Sequence, residues 1–472
     1  MNYTREQLEK GFNFHNLKDI CIQLGGKPSN RNKEEVIELI LSLQSGEITP
    51  KKNSPGRKSN FQKFNEQGYF QDDNFVNTEV RENEDLIREN VSFLGESRSV
   101  KGTFEKAENQ DHGFLRGENF KMSSVTDVYV SGGTIRAYKL RNGDFVEGVA
   151  VSGRDNSAPS LKSVEKINGC ELSKFQRRRF GDLEPIYPDR KIRLASNSER
   201  DVALREIDLL SPIGFGQRGL IVAPPKAGKT TLLKKIATAV NKNHEGVHLI
   251  VLLIGERPEE VTDIKRSVNC ELIYSTFDDK PKNHVRICSL AVEKAKRMVE
   301  SGKDVIILLD SITKLTRAYN ETVLSSGKTL SGGIDPIALQ EAKSIFGSAR
   351  NVEGDGSLTI IATALVETGS KMDDVIYEEF KGTGNSEIVL SRNLSQRRIF
   401  PAIDLYRSGT RKDELLLTDA ELDCAYEIRR YLDLKKDAEY KLIEMINKTS
   451  SNEEFIEKAP TWCKLIAEEK YE

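Results

Sequence analysis

Long apolar runs are absent from this chain of 472 residues. No stretch approaches the ~18 consecutive apolar residues that a membrane span requires, and residues 1–7 lack the apolar core of a secretion signal. The hydrophobic fraction is 37% and the charged fraction is 31%, which is typical of a polar soluble protein. These absences predict a cytoplasmic protein that does not bind a membrane.

Paired cysteines and a strong net charge are also missing. The six cysteines stand at positions 21, 170, 270, 288, 424 and 463 without any C-x-x-C pair, so neither a zinc site nor a disulfide framework is indicated. The formal net charge is only −2. Overall attraction therefore does not predict nucleic-acid binding, and the local distribution of charge is the more informative signal.

The segment around Lys229 predicts a phosphate-binding loop. Residues 220–223 form a short apolar run typical of a buried parallel strand, and a helix is predicted to begin near Lys229. At such a junction the first N–H groups of the helix lack partners, so a polyphosphate can be held there. Only Gly228-Lys229-Thr230 fits the P-loop pattern fully, because Ala223 replaces its first glycine. We expect Lys229 on the β and γ phosphates and Thr230 on Mg²⁺; the alternative is an ordinary helix N-terminus.

The first hundred residues divide into two parts. Residues 1–48 predict a small helical module, because residues 32–35 resemble a capping box and apolar residues follow at helical spacing. Residues 49–95 show little apolar periodicity and carry separate basic and acidic runs. That composition is typical of a flexible charged linker.

Short alternating strands are predicted between residues 96 and 171. Strands are expected over 127–131, 135–141 and 144–151, with a hairpin turn at Asn142-Gly143 joining the last two. Several short strands with tight turns in so few residues predict a small closed barrel.

Aromatic residues in this barrel are candidates for contact with single-stranded nucleic acid. Phe114 and Tyr129, together with His112, would offer a stacking surface, since every base has a π face, and Arg116 would neutralise phosphate. The alternative is that Phe114 and Tyr129 belong to the barrel core.

Residues 172–200 are predicted to be an ordered basic connector, and the remainder to 472 to be a parallel α/β domain. Apolar runs alternate there with amphipathic helices, and three of the runs end at Glu256, Asp310 and Thr368. Ligands of open α/β sheets bind at the carboxyl ends of the strands. We therefore expect these three points to converge on the phosphate loop.

The polar residues at those strand ends suit phosphoryl transfer. Asp310 is placed to hold Mg²⁺ with Thr230, and Glu256 to orient and deprotonate an attacking water; either acid is alternatively a loop cap or a salt-bridge partner. Arg398 and Arg411 lie in Gly- and Pro-containing turns that would expose them. From there each could reach the ATP site of a neighbouring subunit, so that hydrolysis would depend on assembly. An arginine in a turn is otherwise an ordinary surface residue.

Two Gly-rich loops carry one lysine each. They span residues 325–333, with Lys328, and 368–371, with Lys371. In a ring these lysines would point inward and hold a backbone phosphate; the alternative is that both loops are plain connections.

Four motifs closely resemble the family of bacterial transcription termination factor Rho: they lie at 216–230, at 256–261, at 309–313 with 317–320, and at 377–385. The resemblance is dense from about 205 to 415 and looser before it, and Ala223 is itself the family's form of the loop. It implies a homohexameric ATP-driven RNA translocase and RNA:DNA helicase that acts on the RNA polymerase elongation complex. The implied fold is an N-terminal helical module, a cold-shock or OB-like barrel, and a RecA-like P-loop ATPase domain over 201–472.

The resemblance also assigns roles residue by residue. Glu256 resembles the catalytic base, Arg398 and Arg411 the arginines that act across the subunit interface, and Phe400 the aromatic that stacks on adenine. The implied catalytic residues are Glu256, Lys229, Arg411, Arg398 and Arg257. The implied ATP-binding residues are Pro225, Lys226, Ala227, Gly228, Lys229, Thr230, Thr231 and Phe400, with Thr230 and Asp310 on Mg²⁺. The implied RNA-binding residues are His112, Phe114, Arg116, Tyr129, Lys328 and Lys371.

The chain departs from the family's pattern at five places. Gly255 stands where the family usually has Asp, Thr231 where some relatives have Met, and His112 where the family often has Phe. Residues 153–158 lack the Glu and Tyr that help to select pyrimidines, and the linker at 49–95 is longer than in compact relatives. Two other functions remain alternatives: a rotary or export-type hexameric ATPase subunit, and a static RNA-binding protein.

Overall fold

The computed structural model describes Leu17, Cys21 and residues 32–45, 97–123, 126–152, 158–196, 201–354, 356–434 and 438–468. The chain divides into two compact units, residues 1–89 and 90–472. None of the helices in the described part of the chain has the length and apolar content to span a bilayer.

The first unit contains helix α1 (Lys33–Ser45). The predicted capping box is present, since Asn32 Oδ1 accepts from Glu35 N at 2.9 Å and Glu35 Oε2 accepts from Asn32 N at 3.0 Å. Val36, Ile37, Leu39 and Ile40 are buried together with Leu17 and Cys21. The remainder of the predicted module and the linker at 49–95 lie outside the described residues.

The second unit begins with the predicted small barrel. Its strands are β1 (Ser97–Lys106), β2 (Gly113–Arg116), β3 (Val128–Val130), β4 (Phe145–Val151), β5 (Ser160–Ile167) and β6 (Cys170–Glu171). The strand order is β3-β2-β1-β4-β5-β6, and β3 also pairs with β5. This last pairing closes β1 to β5 into a barrel around a core that includes Phe104, Val128, Val146 and Leu161.

The strand predicted over 135–141 is wrong. Helix α2 (Gly132–Ala137) occupies most of this stretch, and the Ser131 hydroxyl caps it by accepting from Thr134 N at 3.1 Å. Ile135 and Tyr138, three residues apart, pack on the barrel core. The apolar residues therefore follow helical rather than strand spacing, and the tight turn at Gly143 (φ 87°) connects to a helix instead of a second strand.

The connector is ordered over the described residues 172–196. It adds β7 (Pro185–Ile186), which pairs with β12 (Arg350–Val352) of the following sheet. Within the barrel, an added Cβ at Gly143 would lie 2.3 Å from the Glu293 backbone. Glycine thus permits the barrel to approach the Glu293 helix of the α/β domain closely.

The α/β domain is built on the predicted parallel sheet. Its further strands are β8 (Arg218–Ala223), β9 (His248–Glu256), β10 (Glu271–Thr276), β11 (Val305–Asp310), β13 (Ser357–Leu365), β14 (Ser386–Val389) and β15 (Gly409–Thr410). The order is β10-β9-β11-β13-β8-β14-β15, with β10 to β14 parallel along this path and β15 antiparallel. A parallel sheet brings the ends of β8, β9 and β11 to one edge.

Helices cover both faces of this sheet. They are α3 (Val202–Leu210), α4 (Lys229–Asn243), α5 (Pro258–Ser267), α6 (Pro281–Val299), α7 (Ile312–Thr322), α8 (Pro336–Gly347), α9 (Lys371–Thr383), α10 (Arg392–Gln396), α11 (Asp419–Leu434), α12 (Ala438–Asn447) and α13 (Asn452–Glu468). Alternate residues of β9 enter two separate cores: Leu249, Val251 and Leu253 on one face, Ile250, Leu252 and Ile254 on the other. Burial on both faces explains the continuous apolar runs in the sequence.

Candidate active site and nucleic-acid interface

The predicted phosphate loop joins β8 to α4. Helix α4 begins at Lys229, and its N-cap Gly228 has φ 96° and no side chain with which to cap the helix. Lys226 also has a positive φ, 66°. An added Cβ at Gly228 would meet nothing within 4 Å. The first N–H groups of α4 therefore border open space, an arrangement that suits an anionic ligand.

Glu256 and Asp310 meet Lys229 beside this loop, as predicted. Glu256 ends β9 and Asp310 ends the adjacent strand β11. Lys229 Nζ lies 2.5 Å from Asp310 Oδ1 and 3.4 Å from Glu256 Oε1. Thr368 does not join them, because its hydroxyl donates to Asp373 at 2.6 Å. Thr363, on β13, takes that place by donating to Asp310 Oδ1 at 2.7 Å.

The surroundings of Glu256 and Lys229 shift the pKa values of both groups. Burial, with the negative charge of Asp310, raises the pKa of Glu256, and the lysines nearby offset only part of this rise. Burial alone would lower the pKa of Lys229, but Asp310 and Glu256 raise it above its ordinary value. The site thus holds a carboxylate with raised basicity beside a firmly charged ammonium group.

Lys314 is a site residue that the sequence analysis missed. Its Nζ donates to Glu256 Oε1 at 2.6 Å and to the Gly255 carbonyl at 2.8 Å. The available signal was its spacing: Lys314 follows Asp310 by four residues, so it lies in the first turn of the helix that leaves β11. Gly255 has φ 62°, a conformation that glycine adopts readily and that directs its carbonyl to Lys314.

A cavity of about 440 Å³ lies between the phosphate loop and residues 400–403, which are far from the loop in sequence. Ala227, Gly228 and Thr231 line one side of the cavity, and Phe400, which is 52% exposed, lines another. Pro225 and Lys226 are exposed in the same loop. The structure therefore brings together the predicted loop residues and the predicted adenine-stacking aromatic.

The residues present fit ATP with Mg²⁺. The loop offers unpaired N–H groups and the Lys229 ammonium to phosphates, while Thr230 at the helix start and the buried Asp310 carboxylate supply the oxygen ligands that Mg²⁺ prefers. Thr230 Oγ1 also lies 3.5 Å from Glu260 Oε2, a second carboxylate that the sequence analysis did not name.

The three predicted arginines lie apart from these acids. Arg411 borders a different groove, of about 390 Å³, together with Arg407 and Arg429. Arg398 (φ 62°) is exposed shortly before Phe400, and Arg257 is exposed at the N-cap of α5. Within the described residues of one chain, none of these guanidinium groups bonds to Glu256 or Asp310.

The predicted stacking residues form one aromatic cluster on the barrel. Phe114 and Tyr129 are opposite each other on β2 and β3. The His112 ring centroid lies 5.6 Å from that of Phe114 and 5.3 Å from that of Tyr129. All three side chains are half-buried and none belongs to the barrel core. Their surfaces are therefore open to a ligand, against the alternative that they fill the core.

Arg116 lies beneath this cluster with its charge already paired. Its guanidinium stands 4.8 Å from the centre of the Phe114 ring. Its Nε donates to Glu105 and its Nη1 donates to Asp127, each at 2.5 Å. The structure thus differs from the simple expectation of a free cation for phosphate.

The loops that carry Lys328 and Lys371 pack together. Both lysines are exposed, and an added Cβ at Gly332 would lie 2.8 Å from Met372 Cα. Helix α7, which leaves the Asp310 strand end, contacts the Lys328 loop directly, because Asn320 Nδ2 donates to Gly333 O at 3.2 Å. Arg317 Nη2 of α7 donates at 2.6 Å to Asp373 on α9, which also accepts from Thr368 of the second loop. One helix therefore links the acid site to the first loop directly and to the second through Asp373.

Comparison with known proteins agrees with this organisation. Residues 203–410 match the model of the ATP synthase alpha/beta family, nucleotide-binding domain, and residues 100–173 match the model of the Rho termination factor, RNA-binding domain. Transcription termination factor Rho of Bacillus subtilis is 51% identical over 360 residues, which cover 76% of this chain and 84% of that protein. Rho of Aquifex aeolicus is 50% identical over 367 residues, covering 76% and 84%.

A solved structure shares the fold. It is described as a prototypical ATPase from the type III secretion system of pathogenic bacteria, with a TM-score of 0.52 and 24% identity, over 66% of this chain and 93% of that one. At this identity the likeness concerns the fold alone.

Proposed function

The chain belongs to the family of bacterial transcription termination factor Rho, and we propose that it is a homohexameric, RNA-stimulated ATPase that moves along RNA and separates RNA:DNA hybrids. Its partners in this role are nascent single-stranded RNA and the RNA polymerase elongation complex. A factor that ends transcription works where RNA is made, and we therefore propose a cytoplasmic location.

One observation carries the proposal. A set of groups suited to ATP hydrolysis, Lys229, Glu256 and Asp310, occurs in the same compact unit as a half-buried aromatic cluster outside the core of a barrel. An ATPase of the rotary or export type has no need of such a cluster, and a static RNA-binding protein has no need of a buried acid pair held by a lysine.

Each residue of the ATP site has a role in this proposal. Bound Mg²⁺ would neutralise charge on the phosphates, with Thr230 and Asp310 as its protein ligands. Lys229 leaves Asp310 for the phosphates when ATP binds, because the phosphates carry the greater negative charge. Glu256 then accepts the proton of the attacking water, a task for which a raised pKa is suited.

Assembly completes the site in this proposal. Arg411 lines a groove that Glu256 and Asp310 of the same chain do not line, and Arg398 is exposed. A neighbouring subunit would place its Arg398 and Arg411 against the negative charge that develops on the phosphate, and Arg257 would approach the same charge from the site's own chain. Hydrolysis would then require the ring.

RNA would bind at two places. The cluster of His112, Phe114 and Tyr129 stacks on bases, as aromatic platforms do in proteins that bind single strands. Lys328 and Lys371 hold the backbone in the ring's channel. Because α7 contacts the first loop directly and the second through Asp373, and begins beside Asp310, movement of RNA in the channel would displace residues of the ATP site.

ATP turnover with and without single-stranded RNA tests this function. We expect RNA to raise the turnover number severalfold. Turnover that is the same in both conditions would favour the rotary or export-type subunit, and RNA binding without any turnover would favour the static binder. Glu256→Gln serves as the control that separates true hydrolysis from contaminating ATPase.

A further inference from the structure

The aromatic cluster is tied to the ATPase domain by a chain of four alternating charges. Asp127 accepts from Arg116, Arg116 donates to Glu105, and both oxygens of Glu105 accept from Arg286 Nη1 at 2.9 Å. The side chains are only 5%, 9%, 12% and 19% exposed, from Asp127 to Arg286. Arg286 lies on α6 of the ATPase domain, whereas the other three residues lie on the barrel.

The same arginine holds the backbone beneath the cluster. Residues Glu118–Phe120 connect the strand of Phe114 to the strand of Tyr129, and Arg286 Nη2 donates to Phe120 O at 2.8 Å. The Phe120 side chain is buried in a core of the ATPase sheet, and Asn119 Oδ1 accepts from Tyr274 N at 2.5 Å. Residues of the ATPase domain therefore hold the segment that connects the two strands of the proposed RNA-binding surface.

We propose that Arg286 is a positioning residue of the RNA-binding surface: by sharing the Glu105 carboxylate, it leaves part of the Arg116 charge available to RNA. This inference rests on the proposed function. The four charges are balanced, with two positive and two negative. Without Arg286, both carboxylates act on Arg116 alone, and one uncompensated negative charge lies beneath the surface that a polyanion approaches.

The test is the dissociation constant of a labelled single-stranded oligoribonucleotide with the full chain, measured without nucleotide. We expect Arg286→Gln to weaken RNA binding by about tenfold, because the contact of Arg116 with RNA loses about the free energy of one charged hydrogen bond. Adding Glu105→Gln restores the charge balance, so the double variant should bind within about twofold of wild type. If the double variant binds RNA as weakly as Arg286→Gln, Arg286 only holds the barrel on the ATPase domain, and the proposal is overturned.

Salt dependence separates positioning from direct contact. Each phosphate contact to a single strand contributes about 0.7 to the slope of log K against log salt. We expect Arg286→Gln to lower the slope by at most about 0.7, because Arg116 loses its hold on phosphate, and Glu105→Gln in the double variant to restore the wild-type slope. A slope that stays reduced by about 0.7 in the double variant would mean that Arg286 itself binds phosphate and would overturn the proposal.

Two controls keep the outcomes distinct. Arg266→Gln removes the same charge from an exposed position on α5 and should leave the affinity unchanged. If Arg286→Gln does not fold, Arg286→Lys retains the charge and should bind RNA like the wild type; weak binding by this folded variant would count against the proposal. Failure of the wild type to bind RNA would contradict the proposed function, whereas equal binding by wild type and Arg286→Gln would contradict only this inference.

Discussion

Replacing Lys314 by Met should move the acidic limb of the ATPase pH profile to higher pH. Glu256 must be ionised to accept a proton, so turnover falls as the pH falls through its pKa. Burial and Asp310 already raise that pKa, and Lys314 is one of the two lysines that lower it. Lys229 is the other, but it is required on the phosphates when ATP is bound. Loss of Lys314 therefore raises the pKa of Glu256 further.

The size of the effect follows from the geometry. The Lys314 Nζ to Glu256 Oε1 distance is 2.6 Å, and the two side chains are 30% and 5% exposed. Such a pair lies between an exposed ion pair, worth up to about 1 kcal/mol, and a buried one, whose disruption costs about 3 to 5 kcal/mol. We assign about 1.4 kcal/mol to the Lys314–Glu256 ion pair, which corresponds to a tenfold change in the ionised fraction of Glu256 on the acidic limb.

Steady-state turnover at saturating ATP and RNA, measured across pH, tests this reasoning. Lys314→Met should be about tenfold slower than wild type on the acidic limb and should approach wild type above it. Lys314→Arg keeps the positive charge, so the acidic limb of its pH profile should lie at the same pH as in the wild type. A limb that stays in place in Lys314→Met, or moves to lower pH, would refute the assigned role.

Three further substitutions test the site. Glu256→Gln should retain ATP binding, measured by fluorescence titration, but lower turnover by at least ~10²-fold, as loss of a general base does; near-normal turnover would exclude that role. Arg411→Ala should abolish hydrolysis in uniform rings yet recover activity in rings mixed with Glu256→Gln subunits, because each variant supplies what the other lacks; no recovery at any ratio would count against action in trans. Lys371→Ala should lose RNA stimulation of turnover while RNA affinity at the barrel is retained, and unchanged stimulation would argue against a channel role.

Strand ends were the most predictable part of the site. The runs that end at Glu256 and Asp310 are apolar throughout because β9 and β11 are buried on both faces. A polar residue that ends such a run has to lie at the sheet's edge. Parallel pairing then places neighbouring ends together, so the convergence on Lys229 followed from pattern alone.

Short elements and long-range partners were less predictable. Residues 132–137 form a helix because the Ser131 cap and the spacing of Ile135 and Tyr138 outweigh a weak alternation. The partner of Glu105 on the ATPase domain could not be found from sequence, since Arg286 is 181 positions away and its approach depends on the packing of barrel against sheet. Arg398 and Arg411 lie apart from Glu256 and Asp310 within one chain, and the contact between chains that we propose for them is not determined by the pattern of one chain.

Unwinding of an RNA:DNA hybrid that carries a single-stranded RNA tail tests the central claim most directly. We predict that the chain releases the DNA strand only when ATP and Mg²⁺ are present, and that Glu256→Gln releases none. Strand release without ATP, or ATP hydrolysis stimulated by RNA with no release of the DNA strand, would contradict the account of this protein as an RNA-driven motor.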